Sequence, residues 1–252
     1  MSKHQWSYIS FGILSLVFAY VYIFHDALIW HWIILFLVWL SLVVYGSFSI
    51  RFNYHLHAFN KLNTKEKNIV LTFDDGPTIY TSAILDLLKK HHFKATFFCV
   101  GKQIEKHPEV FSRIIQEGHC VGNHTYSHDK KMGFKSTYEM IKEIEKTNEI
   151  ITHHLGKKTL FFRPPFGVTN PQIRKALIAT EMTAIGWTIR SLDTVIKTEK
   201  KIIKRIEKKI KPGAIILLHD TSEKSVNIVA QLLNILTQKS YQSVHITPEL
   251  KL

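Results

Sequence analysis

The sequence predicts an α/β domain whose parallel strands close, or nearly close, into a barrel, preceded by two transmembrane helices. Three observations carry this expectation. Two uncharged apolar stretches lie near the N-terminus, strand-like and helix-like patterns alternate after them, and acids, bases and metal-ligand types fall where the strands end.

Tyr8 to Phe24 and Ala27 to Tyr45 contain no Asp, Glu, Lys or Arg. A helix rises 1.5 Å per residue, so about 20 residues cross the hydrocarbon core of a bilayer. Neither stretch has a polar face, which separates them from a buried core hairpin. A secretory signal fits poorly: only Lys3 precedes the first stretch, no small-x-small pattern follows it, and a second apolar stretch comes at once. Residues 1–50 are therefore expected to be a two-span anchor turning at His25 and Asp26. Residues 51–68 read as a linker and 69–252 as one domain with its own core.

Lys3 and Asp26 are the only charged residues before Arg51, so the formal charge of +13 falls on the chain from Arg51 onward. The lysines are scattered along predicted helices, as at Lys89, Lys142 and Lys204, without interleaved aromatics or a nucleic-acid motif. They suit solvated helix faces beside an anionic bilayer, and no nucleic-acid partner is expected. Lys3 flanks the first span and Arg51, Lys61, Lys65 and Lys67 the second, with no lysine or arginine between the spans. The positive-inside rule then puts the domain on the cytoplasmic side of the plasma (inner) membrane. Cys99 and Cys120 are too few for a disulfide framework and lack metal-ligand spacing, so both are expected to be small buried hydrophobes.

Short apolar runs at Ile69–Phe73, Ala95–Val100, His119–Gly122, Thr159–Phe162, Met182–Trp187, Ala214–Leu218 and Ser243–Ile246 predict about seven strands. Between them Ser82–His91, Pro108–Glu117, Ser136–His154, Pro171–Thr180, Glu199–Ile210 and Ser225–Lys239 carry apolar residues at three- and four-residue spacing, the helical period. Regular alternation of this kind favours parallel strands, and barrels built so hold their chemistry at the C-terminal ends of the strands.

Asp74-Asp75-Gly76-Pro77 comes after the first run, Asn123-His124 with His128 after the third, and Arg163-Pro164-Pro165-Phe166-Gly167 after the fourth. Asp193 ends the segment after the fifth, and His219-Asp220 comes after the sixth. Each has an ordinary explanation alone: a turn, a chance pair among 15 histidines, an interior histidine, a structural ion pair. Two adjacent carboxylates cannot both face a core unpaired, however, and the joint placement at successive strand ends favours a site, with one carboxylate as metal ligand and the other as general base.

TFDDGP at Thr72–Pro77, HTYSH at His124–His128, RPPFG at Arg163–Gly167 and LLH at Leu217–His219 resemble the motifs of the polysaccharide deacetylases, carbohydrate esterase family 4 or the NodB homology domain. The resemblance runs from about Asn68 to Tyr241. It implies a distorted (β/α) barrel and a divalent metal, most often zinc with cobalt or manganese as alternatives, held by Asp75, His124 and His128. It further implies Asp74 as general base, His219 as general acid, the Phe166 backbone N–H as oxyanion donor, and removal of N-acetyl groups from an amino-sugar glycan. Leu217 and Trp187 are the other candidate substrate contacts. Two imidazoles and one carboxylate leave a coordination position open, as hydrolytic zinc sites require.

Three positions depart from the family pattern. Phe166 stands where tyrosine is usual, which leaves the backbone donor intact. The fourth motif, commonly aspartate, two residues, then Asp-Trp, reads Arg190-Ser191-Leu192-Asp193-Thr194. The arginine of the third motif, Arg163, is then expected either to take Asp193 as its carboxylate or to lack one. The absent tryptophan alters a groove wall. With the domain at the cytoplasmic leaflet, a lipid-linked or newly made saccharide is the expected substrate. A deformylase or O-acetyl esterase of the same fold, and a catalytically silent saccharide-binding membrane protein, are the alternatives.

Overall fold

The computed structural model describes residues 2–25 and 29–246. The turn between the apolar stretches, with Asp26, and residues 247–252 lie outside them. Helices α1 (Lys3–His25) and α2 (Trp30–Phe48) coincide with the two stretches. Each is long and apolar enough to cross a bilayer, and their apolar windows are 0% and 6% buried. The core helix of a soluble domain would be mostly covered. Trp39 stacks on Phe11 and meets Tyr8 edge-on, so the pair packs as a hairpin.

Residues 51–68, expected as a linker, fold against the domain instead. Tyr54, His55 and Leu56 are buried, and Ala58–Phe59 forms β1, paired in parallel with a later strand. A two-residue strand flanked by histidines and asparagines carries too little periodicity to be read from sequence. This segment and the loop before α7 bind the two N-terminal helices. The His4 N–H donates to the Tyr54 carbonyl at 3.1 Å, Lys3 Nζ to the Phe52 carbonyl at 2.8 Å, and the Thr169 N–H to the Ser47 carbonyl at 2.9 Å.

All seven expected strands are present: β2 (Asn68–Asp74), β3 (Ala95–Cys99), β4 (Cys120–Asn123), β5 (Phe161–Phe162), β6 (Thr183–Ile185), β8 (Ile215–His219) and β9 (Gln242–Ser243). Besides β1, a second short strand, β7 (Ile189–Arg190), is additional to those expected. The order is β1-β6-β5-β4-β3-β2-β8-β7, every pairing is parallel, and β9 adds to the start of β2. Because β6 lies next to the end strand β1 and β7 is the strand at the other end, the single stretch 183–190 spans nearly the whole sheet order. That is how the sheet curls into a distorted barrel.

Helices α3 (Thr81–Lys90), α5 (Pro108–Gln116), α6 (Thr137–Leu155), α7 (Pro171–Ala179), α8 (Glu199–Glu207) and α9 (Glu223–Gln238) match the periodic segments, and among the described residues the short α4 (Gly101–Lys106) is the one additional α-helix of the domain. Strand parity divides the core. Ile69, Leu71 and Phe73 of β2 pack outward against α3, α8 and α9, whereas Val70 belongs to the second cluster, with Phe98, Leu217 and α7. Successive side chains alternate faces, so Thr72 and Asp74 share the face of Val70. Cys99 is buried and Cys120 partly so, both as free thiols.

Helix α6 starts with a reciprocal cap: Ser136 Oγ accepts from the Glu139 N–H at 3.3 Å, and Glu139 Oε2 accepts from the Ser136 N–H at 2.7 Å. Ser136→Ala is expected to cost about 1 kcal/mol of stability. Equilibrium urea unfolding of the variant beside wild type checks this, since the residue is remote from any reacting group.

Candidate active site

The strand ends of β2, β4, β5 and β8 converge. Asp74 closes β2 and is the cross-strand partner of His219, which closes β8. The next residue, Asp75, turns out of the strand at φ 79°, and Thr125, His128 and Phe166 also adopt left-handed backbone, at 66°, 48° and 60°. Such conformations cost about 1–3 kcal/mol each in non-glycine residues and gather at functional sites. At Gly76 the turn lies directly on the buried Asp220 carboxyl, which leaves no room for a side chain.

Asp75, His124 and His128 each offer a ligand atom, all within 4.8 Å of one another. Asp75 Oδ1 is 3.4 Å from His124 Nε2 and 3.2 Å from His128 Nε2. His124 Nδ1 lies 2.7 Å from the Arg163 carbonyl and donates to it, which turns Nε2 toward Asp75. Burial opposes ionisation of Asp75, but the hydrogen bond and charge of His124, with His128 and His219, outweigh it and hold the carboxyl well below the usual range. Burial, then the charge of His124, lowers His128, which favours the neutral imidazole a metal needs. The donor set therefore fits a divalent cation: one carboxylate and two imidazoles, with Asp75 and His128 still 28% and 21% exposed.

Arg163 is fully buried and reaches the face of β2 that strand parity assigns to Thr72 and Asp74. Its Nη1 donates to Asp74 Oδ1 and to Thr72 Oγ1, both at 2.7 Å, and Nε and Nη2 donate to the carbonyls of Ile185 and Gly186 at 3.1 and 2.8 Å. Its guanidinium also lies over the Phe98 ring, 4.1 Å from the centroid. Asp74 Oδ2 is left facing His124 Nε2, 3.9 Å away.

The expectation that Asp193 stands in as the carboxylate for Arg163 is corrected, because Asp193 serves His219. Asp193 Oδ1 is 2.7 Å from His219 Nδ1, and Oδ2 accepts the His219 backbone N–H at 2.8 Å. Burial would lower the His219 pKa, but the hydrogen bond and charge of Asp193, then Asp74 and Asp75, raise it to about 9. Arg163 needs no fourth-motif partner, since Asp74 itself and two strand carbonyls satisfy it. Trp187 is corrected as well. It is buried, packed against Gly167 and 5.7–5.8 Å from the guanidinium carbons of Arg163 and Arg190, and offers no sugar platform. Leu217 is buried in the same apolar cluster beneath the site. Phe166 is half-exposed, its ring 4.7 Å from that of His128.

Two supports of the histidine loop are not evident from sequence. Glu143 on α6 accepts the backbone N–H groups of Tyr126 and Ser127 at 3.0 and 2.8 Å and the Ser127 hydroxyl at 2.8 Å. Asn123 accepts the Thr125 N–H at 2.8 Å while its amide donates to Ile144 and Asn148. The one available signal is a carboxylate beside the apolar stripe Met140–Ile144–Thr147–Ile151, where a solvated residue is not expected.

A carboxylate and a carboxylate-supported imidazole on neighbouring strands, flanking a candidate metal-ligand set, define a hydrolase centre on a parallel barrel. Residues 61–185 match the polysaccharide deacetylase family. The chain is 34% identical over 187 residues to the peptidoglycan-N-acetylmuramic acid deacetylase PdaC of Bacillus subtilis, covering 74% of this chain and 39% of that one. It is 33% identical over 196 residues to a peptidoglycan-N-acetylglucosamine deacetylase of Bacillus cereus, covering 73% of this chain and 71% of the relative. The solved structure of PdaC superposes with a TM-score of 0.67 at 34% identity, covering 74% of this chain and 88% of that one. A carbohydrate esterase family 4 pseudoenzyme from Bacillus anthracis superposes with a TM-score of 0.68 at 29% identity, covering 74% and 66%. The chain belongs to the polysaccharide deacetylase family.

Proposed function

We propose that the protein is a membrane-anchored, metal-dependent hydrolase that removes N-acetyl groups from an amino-sugar saccharide carried at the cytoplasmic leaflet. The observation that carries this reading is the paired arrangement of Asp74 with Arg163 and His219 with Asp193 on either side of Asp75, His124 and His128. The relatives act on N-acetylglucosamine or N-acetylmuramic acid of peptidoglycan, and a lipid-linked saccharide of that chemistry accords with the charge pattern around the spans.

Asp75, His124 and His128 would hold the ion, with zinc as first choice and cobalt or manganese as alternatives. When bound, such an ion supplies Lewis acidity to an acyl oxygen and eases loss of a proton from water. Asp74, oriented through Oδ1 by Arg163, accepts that proton at Oδ2. The Phe166 N–H donates to the acyl oxygen as negative charge grows on it. His219, protonated at Nε2 and fixed through Nδ1 by Asp193, gives its proton to the departing amine. The oxygen of the deprotonated water bonds to the acyl carbon and the C–N bond breaks, leaving acetate and a free amino sugar.

Product analysis separates this from the neighbouring chemistries: acetate with a free amine supports it, whereas formate, or acetate with no new amine, sinks it. Side of the membrane is read by labelling a surface cysteine added to the domain in intact cells, where reaction with an impermeant reagent contradicts the cytoplasmic assignment.

The pH dependence derives from the Asp193 contact. An acid must be protonated to act, so activity is present below the His219 pKa and falls as pH rises through it, near 9. Asp193→Asn removes the largest raising influence, and the alkaline limb of kcat is expected to move toward the ordinary 6.5. An unmoved limb would show that another group sets it.

A further inference from the structure

Between the first turn of α1 and the domain lies a cleft of about 650 Å³ whose lining includes Lys3, Gln5, His55, His57 and Arg174 and no aspartate or glutamate. Among the described residues Arg174 has no carboxylate within ion-pair distance. Lys3 donates to the Phe52 carbonyl and keeps two further N–H groups.

His55 lies in the cleft wall. It is 2% exposed, its Nε2 lies 2.9 Å from Ser47 Oγ, and its Nδ1 has no hydrogen-bond partner. Burial, then the charge of His4, pushes its pKa down to about 4, so the ring is neutral and carries one proton. The Ser47 contact leaves the other ring nitrogen, Nδ1, buried and unpartnered, so the preference of the cleft comes from Lys3 and Arg174. Two cations and no acid make it complementary to an anion.

Depth identifies the anion. Lys3 and Gln5 line the cleft, and the uncharged run of α1 begins immediately after them, so the cleft opens where a bilayer places its headgroups. We propose that this cleft binds the phosphate of an anionic membrane lipid, held by Arg174 and Lys3. Bound there, the lipid joins the anchor, the segment 51–57 and α7 and fixes the domain on the membrane surface. The proposal rests on α1 and α2 spanning the bilayer, which recovery of the chain in the membrane fraction checks separately.

The test is native mass spectrometry of the detergent-solubilised full chain with phosphatidylglycerol, with phosphatidylcholine, and with inorganic phosphate alone. Phosphatidylglycerol is expected to be retained over phosphatidylcholine, and Arg174→Gln and Lys3→Gln each to weaken its retention about fivefold. Lys90→Gln, an equal loss of charge on α3, should leave it unchanged. Equal retention of the two lipids, or an equal loss in Lys90→Gln, overturns the proposal. Inorganic phosphate binding as tightly as the lipid overturns the lipid assignment.

Discussion

Asp74→Asn is expected to lower kcat about a thousandfold, roughly 4 kcal/mol of transition-state stabilisation, while metal affinity stays within a small factor of wild type. Asp74 is nearly isosteric with asparagine and is not one of the three clustered ligand residues. The substitution removes the proton acceptor and keeps the shape. Single-turnover kinetics beside zinc titration separates the two quantities. A parallel loss of metal binding would mean that Asp74 is a ligand rather than the base.

Arg163→Met carries the second large effect, and it falls on stability. Asp74 is 4% exposed, and its one strong cationic partner is the Arg163 guanidinium. Removing that partner leaves the carboxylate uncompensated, along with the carbonyls of Ile185 and Gly186, while the Thr72 hydroxyl keeps its bond to the Ile216 carbonyl. Breaking a buried pair in this way costs about 3–5 kcal/mol. Arg163→Lys should recover little, because one ammonium cannot occupy the four directions that the fork fills. Urea unfolding of both variants measures this. A midpoint close to wild type for Arg163→Met would show that Asp74 takes a proton or a water in place of the arginine, and that the pair contributes less than the burial implies.

Much of this architecture is legible in the sequence, because it is written in short-range patterns. The uncharged stretches, the short apolar runs and the period-3.6 segments locate the long helices and the seven expected strands to within a few residues. The strand ends then nominate Asp74, Asp75, His124, His128, Arg163 and His219. What sequence does not supply is pairing across long separations. Arg163 reaches Asp74 through strand parity on β2, and Asp193 reaches His219 through a loop with Leu192 at φ 62°. Neither partner can be read from spacing along the chain. Segment 51–57 resembles a linker for the same reason: its order comes from contacts with α1 and α2 and with the domain, not from any local period. Residue type alone nominates Trp187, and the close approach of Gly167 shows why it is covered instead.

The most direct test of the central claim is acetate release from N-acetylated oligosaccharides by the purified full chain, stripped of metal and then reloaded with zinc, cobalt or manganese. The account predicts no release from the stripped protein and restored release, with one new amine per acetate, after reloading. Equal release with and without metal would contradict it.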